Sequence, residues 1–223
     1  MKIVAIMGSP HGVKGSTGLL LGELTKAAQQ EGAEVTTMLL ARQTVKPCRA
    51  CDACHRTGVC PIKDNWQKYK QAMHEADGIV LASPNYIFSV SAQLKALMDR
   101  CCGPLHCQSL RGKYAAAVVS SGGAESAEVE SYLLRFLQSL GCQTVGSVGA
   151  AGFELANEPT RSGRLTAAGE LGRELVRCIA QKRSFPEQDE RREAFFQRMR
   201  QLIQMRQADW TYEFNYYKSQ GWL

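Results

Sequence analysis

At 223 residues, 44% hydrophobic and 22% charged, the chain has the composition of a globular protein long enough to bury a core, which excludes disordered and fibrous classes. Its net charge of +6 is modest for a nucleic-acid binder, and no apolar run is long enough to span a bilayer. The opening MKIVAIMGSP lacks the basic flank, apolar core and small-residue cleavage site of a signal peptide, and nine cysteines, an odd number, argue against complete pairing; a cytoplasmic protein with reduced thiols is expected.

In chain order, Ile3 to Met7 is an apolar run closed by Gly8-Ser9-Pro10, the pattern of a strand buried on both faces. A helix starts near Ser16-Thr17, carries Leu20, Leu21, Leu24, Ala27 and Ala28 at helical spacing, and meets Gly32 where a left-handed cap belongs. Val35 to Leu40 reads as the next strand. After a cysteine-rich loop, Asp64-Asn65-Trp66-Gln67 resembles a capping box opening a helix that buries Trp66, Tyr69, Met73 and Ala76. Gly78 to Ala82 is a further apolar strand, followed by a turn and a helix with Leu94, Leu97 and Met98.

Tyr114 to Val119 is a strand, Leu133, Phe136, Leu137 and Leu140 mark a helix, Thr144 to Val148 is the last strand, and Leu165 to Ala180 the helix after it. Five βα units with apolar strands predict a parallel sheet covered on both faces. Beyond them Phe195, Phe196, Met199, Leu202 and Ile203 mark a basic amphipathic helix, and the chain closes with DWTYEFNYYKSQGWL. Helix and tail are expected to cover the body or a neighbouring subunit rather than bind RNA.

Ligands of open parallel sheets bind beyond the carboxyl ends of the strands. Three turns fall there. In Gly8 to Thr17, glycines free backbone N–H groups to curl toward an anion at a helix N-terminus, with Ser9, Ser16 and Thr17 adding hydroxyls. The order Lys14-Gly15-Ser16 departs from a Walker A loop, and no dinucleotide fingerprint is present, so the loop is compatible with a ligand bearing one phosphate, such as flavin mononucleotide (FMN), or with a glycine-rich turn that binds nothing. The second turn, Ser83-Pro84-Asn85-Tyr86-Ile87-Phe88, is apolar where a loop is usually polar, and offers a surface for a flat ring or for core packing. The third, Ser120-Ser121-Gly122-Gly123-Ala124-Glu125, offers open backbone amides or a plain turn.

SPNYIFSVSAQLKALMDR, from Ser83 to Arg100, resembles the second flavin-binding segment of the NADPH-dependent FMN reductases of the flavodoxin-like superfamily. GSPHGVKGST and GKYAAAVVSSGG resemble that family's first and third segments, in the right order. The resemblance implies a flavodoxin-like three-layer sandwich with a five-stranded parallel sheet, plus a C-terminal helix and aromatic tail: an FMN-binding domain over residues 1–181 and the helix and tail over 182–223. By the same resemblance Ser9, Ser16 and Thr17 hold the phosphate, Pro84 to Phe88 line the isoalloxazine, with Ser83 and Ser120 beside it, and Gly122 and Gly123 approach its pyrimidine edge. His11 stands where that family commonly has Arg.

PCRACDACHRTGVCP, within a cysteine-rich loop spanning 46–63, sets Cys48, Cys51, Cys54 and Cys60 at C-x2-C-x2-C-x5-C, with Pro61 after the last. This resembles the run that wraps a cubane iron–sulfur cluster. Zinc competes, although Cys₄ zinc sites usually join two separated C-x2-C pairs, and reactive thiols beside Arg49, His55 and Arg56 are the third reading. Iron–sulfur flavoproteins, a subgroup of the family, carry a compact cysteine motif after the second strand, which implies one [4Fe-4S] cluster with FMN.

Lys46, Arg49, Arg56, Lys63, Lys68 and Lys70 outnumber Asp52 and Asp64 around the loop, which suits an acidic electron carrier such as ferredoxin or a solvated basic face. Cys101, Cys102, Cys107, Cys142 and Cys178 read as packed thiols, and His106 has no partner spacing. No side chain stands out as a general acid or nucleophile. The expected function is an FMN-dependent oxidoreductase passing electrons between ferredoxin or NAD(P)H, a [4Fe-4S] cluster and FMN to a small acceptor, in a homodimer or homotetramer. A cluster-free NAD(P)H:FMN or quinone reductase and a zinc-stabilised, flavin-free regulatory module are the alternatives.

Overall fold

The computed structural model describes residues 1–42, 44–123 and 126–223. Its five strands, β1 (Lys2–Met7), β2 (Glu34–Leu39), β3 (Gly78–Pro84), β4 (Tyr114–Ser121) and β5 (Gln143–Ala151), form one parallel sheet in the order β2-β1-β3-β4-β5. The central strands β3 and β4 are buried at every position, as sheets covered on both faces require, whereas β2 at the edge exposes Thr36 and Thr37.

Alternation of side chains along each strand divides the core into two layers. Val4, Ile6, Ile79, Leu81, Ala115, Ala117 and Val119 face α3 (Trp66–Glu75), α4 (Ala92–Asp99) and α6 (Ser126–Ser139), whose Tyr69, Leu94 and Leu133 are fully buried. Ile3, Ala5, Met7, Val80, Ala82, Ala116 and Val118 face α1 (Ser16–Gln30) and α8 (Thr160–Gln181). This is the three-layer, flavodoxin-like arrangement. A third cluster joins α9 (Pro186–Met205) to α10 (Thr211–Ser219) through Phe196, Met199, Ile203 and Tyr217.

The chain leaves β1 toward β2 on one side and later runs from β3 through β5 on the other, so strand order reverses between β1 and β3. Adjacent turns diverge at such a switch point and open a crevice at the carboxyl edge. Short helices interrupt the expected pattern at three places: α2 (Ala53–Thr57) inside the cysteine loop, α5 (Cys102–His106) after α4, and α7 (Gly152–Ala156) after β5.

The capping box expected at Asp64 to Gln67 takes another form. Asn65 makes no side-chain cap; instead Asp64 accepts from Trp66 N at 2.9 Å and Lys46 N at 2.8 Å, and pairs with Arg100 Nη1 at 2.8 Å. A buried guanidinium needs a buried carboxylate, and Asp64 meets that need while starting the helix. Among the described residues no helix is long and apolar enough to cross a membrane.

Candidate functional site

The turn after β1 is fastened to its neighbours through backbone. Gly8 N donates to Ala82 O at 2.8 Å, and Ser91 Oγ donates to Gly8 O at 2.7 Å while accepting from Leu94 N to cap α4. A Cβ on Gly8 would lie 2.7 Å from Leu94 Cβ and Ser91 Oγ, so only glycine lets β1 and α4 meet this closely. Farther along, α1 begins after Gly15, which supplies no side-chain cap, leaving the first N–H groups of the helix without that partner. Ser9 and Thr17 are buried and Ser16 is exposed.

Thr17 and Ser120, 103 positions apart, share a buried hydroxyl–hydroxyl hydrogen bond of 2.7 Å. It couples the first turn to the third. Asn85 N donates to Ser120 O at 2.6 Å and brings the second turn to the same place. Ser83 is fully buried: its hydroxyl accepts from Ser91 N at 2.9 Å and donates to Pro84 O at 2.8 Å, so it shapes the turn.

Beyond Ser83 the second turn lifts apolar side chains into solvent. Ile87 is 89% and Phe88 68% exposed, both with left-handed backbone at φ 49° and 61°. A β-branched residue in that region is strained, and such strain gathers at ligand-gripping segments. Tyr86 of the same turn, Val13 of the first turn and Phe153 of α7 are exposed as well. In the third turn Ser121 Oγ is buried with no hydrogen-bond partner among the described residues, and a Cβ on Gly122 or Gly123 would meet nothing within 4 Å. Ala124 and Glu125, part of the same expected segment, lie outside the described residues.

An uncapped helix start suits a phosphate, an orphaned buried hydroxyl and bare backbone suit a polar heterocycle edge, and displayed apolar side chains suit a planar body. The donor set fits FMN.

The cysteine loop follows β2. Cys48, Cys51, Cys54 and Cys60 are all free thiols, and all four line one cavity of about 420 Å³ together with Pro61, Trp66 and Arg100. Left-handed backbone at Ala50 and Asp52 curls the loop, and Ala50 N donates to Cys48 Sγ at 3.4 Å. Arg100 is buried, with Nη1 also donating to Lys46 O at 2.9 Å; burial pulls its pKa down, but Asp64 and Cys60 together raise it, so the cation persists beside the thiols. Four thiols around one cavity with a fixed cation suit an anionic thiolate-bound cluster.

A second group sits against this cavity. Glu213 of α10, wholly buried, accepts from His55 Nδ1 at 2.6 Å through Oε1 and from His106 Nδ1 at 3.0 Å through Oε2. The Nε2 atoms lie 3.6 Å and 3.9 Å from Cys102 Sγ, and Trp210 lies against both rings, at centroid distances of 4.5 Å and 5.0 Å. Hydrogen bonds from His106 and His55 draw the Cys102 thiol down to about 6 against the opposing effect of burial. Burial pulls both imidazoles down, but Cys102 and Glu213, and for His55 also Cys54, outweigh it and raise them. Glu213 is held below the ordinary carboxylate range, the two histidines overcoming its desolvation.

This group corrects two expectations: Cys102 is more than a packed thiol, and His106 has partners. The available signal was Cys102 and His106 four apart, which places them on one helix face; the partners His55 and Glu213 come from tertiary structure.

The model of the NADPH-dependent FMN reductase family matches residues 1–155. An iron–sulfur flavoprotein of Archaeoglobus fulgidus is 31% identical over 191 residues, 85% of this chain and 86% of that one. Another, from Methanocaldococcus jannaschii, is 46% identical over 100 residues; the match spans 45% of this chain and about half (51%) of that relative's length. Among solved structures, the NAD(P)H:quinone oxidoreductase from Methanothermobacter marburgensis superposes with a TM-score of 0.64 at 17% identity, covering 78% of this chain and 96% of that one, a likeness of fold. Fold, motif-bearing turns and matched sequence agree: the chain belongs to the NADPH-dependent FMN reductase family, among its iron–sulfur flavoproteins.

Proposed function

We propose that this chain is an electron-transfer oxidoreductase in which FMN occupies the carboxyl edge of the sheet and an iron–sulfur cluster occupies the cavity of the cysteine loop, linking a reduced donor to a small acceptor. In this reading the N–H groups at the start of α1, with Ser9, Ser16 and Thr17, receive the phosphate. Pro84 to Phe88 flank the ring, while Ser120, Gly122 and Gly123 border its polar edge. Ser83 and Ser91 keep the second turn in shape. Asn85 contributes through its backbone bond to Ser120. FMN supplies exchange of electrons singly or in pairs, and the cluster single-electron transfer. The protein's part is to hold, orient and shield.

Cys48, Cys51, Cys54 and Cys60 would supply the thiolates, and buried Arg100 stands beside them as a fixed cation. Lys46, Arg49, Arg56, Lys63 and Lys68 are exposed around the loop, a surface that suits an acidic carrier such as ferredoxin. Exposed Tyr86, Ile87 and Phe88 suit completion of the flavin site by a second copy in a homodimer or homotetramer.

The observation that carries this reading is the Thr17–Ser120 bond, which gathers the turns at one edge, with all four motif cysteines around a single nearby cavity. Anaerobic isolation followed by a visible spectrum and assays of FMN, iron and acid-labile sulfide is the test. Brown protein with FMN, iron and sulfide supports it; yellow protein free of sulfide removes the cluster, and colourless protein removes both groups. Reduction by ferredoxin that slows as salt rises supports the acidic carrier, and salt-independent reduction removes it.

A further inference from the structure

We propose that His55, Cys102 and His106 bind one zinc ion at the wall of the four-cysteine cavity, and that this ion joins the cysteine loop to α5 with the C-terminal helix held behind it through Glu213. Their ligand atoms all lie within 4.8 Å of one another. Zinc bonds of about 2.3 Å to sulfur and 2.0–2.1 Å to nitrogen, at a tetrahedral angle, set sulfur and nitrogen roughly 3.6 Å apart. The observed sulfur–nitrogen separations are 3.6 Å and 3.9 Å, and an ion enters once the two Nε2 atoms stand about 3.3 Å apart.

The surroundings carry the inference further than spacing does. Each imidazole donates Nδ1–H to one oxygen of the same buried carboxylate, Glu213, which turns both Nε2 atoms toward Cys102. Carboxylates behind metal-binding histidines do this in zinc sites generally, fixing ring orientation and tautomer. In place of the two Nε2 protons that otherwise bridge the rings to the Cys102 sulfur, one metal ion meets both ring lone pairs and the sulfur together. Zinc with one thiolate and the Glu213 carboxylate has no net charge, the condition under which ions tolerate burial. Two imidazoles and a thiolate are also a donor set that zinc accepts.

The ligands come from α2 and α5, and the supporting carboxylate from α10. Thr211 Oγ1 donates to Arg56 O at 3.1 Å, and Tyr217 OH donates to His106 O at 2.8 Å. Gly58, at φ +73°, lets the Tyr212 ring sit 2.4 Å from where a Cβ would stand. Zinc would add coordinate bonds between α2 and α5, with α10 held to them through Glu213. His55 and Cys102 also line the neighbouring cavity, so the position left for a water or other light ligand borders it.

The inference does not rest on the FMN or cluster assignments. Its test is zinc analysis of intact holoprotein dialysed against zinc chloride and then buffer, with X-ray absorption at the zinc edge. One zinc per chain in a shell of one sulfur and three light atoms is expected. H106Q should retain at least tenfold less zinc with iron, sulfide and FMN unchanged, C102S should lose zinc likewise, and E213Q should bind it 10- to 100-fold more weakly. An all-sulfur shell, no retained zinc in the wild-type protein, or equal retention by C102S and H106Q overturns the proposal. The absorption measurement needs no variant, so a poorly folding mutant does not shield it.

Discussion

Glu213 accepts a 2.6 Å hydrogen bond from His55 across 158 positions of sequence, with the carboxylate wholly closed to solvent. The same carboxylate holds His106, so a residue of the aromatic tail organises the inner side of the cysteine loop. The tail thereby becomes part of the loop's support.

Removing that carboxylate leaves two buried imidazoles without their shared acceptor. Breaking a buried charge network in this way costs about 3–5 kcal/mol. Glu213→Ala in metal-free protein is therefore expected to lower the urea midpoint and to expose the tail to protease before the sheet unfolds. A midpoint within error of wild type would show that the carboxylate bears no structural load.

Thr17→Val keeps the shape of the side chain and removes its hydroxyl, leaving Ser120 Oγ buried without its partner. A loss of about 1–3 kcal/mol in stability is expected, together with weaker FMN binding. Adding Ser120→Ala removes the orphaned group, so the double variant should lose less than the sum of the single variants. A double-mutant cycle measured by denaturation reads the coupling, and strict additivity would contradict it.

Asp64 is held below the ordinary carboxylate range because hydrogen bonds from Arg100, Lys46 N and Trp66 N outweigh its desolvation. A carboxylate with a depressed folded-state pKa contributes stability that is complete above its unfolded value near ~3.9 and is lost as pH falls through the lower folded value. Unfolding free energy should thus fall on acidification below about pH 4, and Asp64→Asn should flatten that part of the profile while lowering stability at neutral pH by about 3–5 kcal/mol, since buried Arg100 loses its partner. Parallel acid profiles for the two proteins would refute the assignment.

The cysteine cavity and the sheet edge use different residues, so they should separate under mutation. Cys48→Ser is expected to reduce iron and acid-labile sulfide to background while FMN content stays near one per chain. Concerted loss of both, with the fold intact by circular dichroism, would contradict separate sites.

The sheet was legible because each strand is a short apolar run ending in turn residues, and the amphipathic helices announced themselves by periodicity; β3 and α1 lie within a few residues of where the pattern put them. That Cys48, Cys51, Cys54 and Cys60 come together around one cavity agrees with their spacing, which left a cluster, zinc and reactive thiols as readings of what they hold. The five-residue helices α2, α5 and α7 are too short to display a period, and α10 hides in a segment whose aromatic residues obscure one. Glu213 carries no signal of its role in the sequence because its partners are set by tertiary folding. Asp64 was misread for a related reason: Arg100 competes for its carboxylate from 36 positions away.

The central claim is that the sheet edge is built for a flavin bearing a phosphate, and the measurement closest to it is a fluorescence titration of flavin-stripped protein with FMN and, separately, riboflavin. Saturation at one FMN per chain is expected, with quenching of ring fluorescence and an affinity at least a hundredfold tighter than for riboflavin, about 2.7 kcal/mol from the phosphate at the start of α1. Equal affinities would remove the phosphate cradle, and no binding of either would contradict the flavin site.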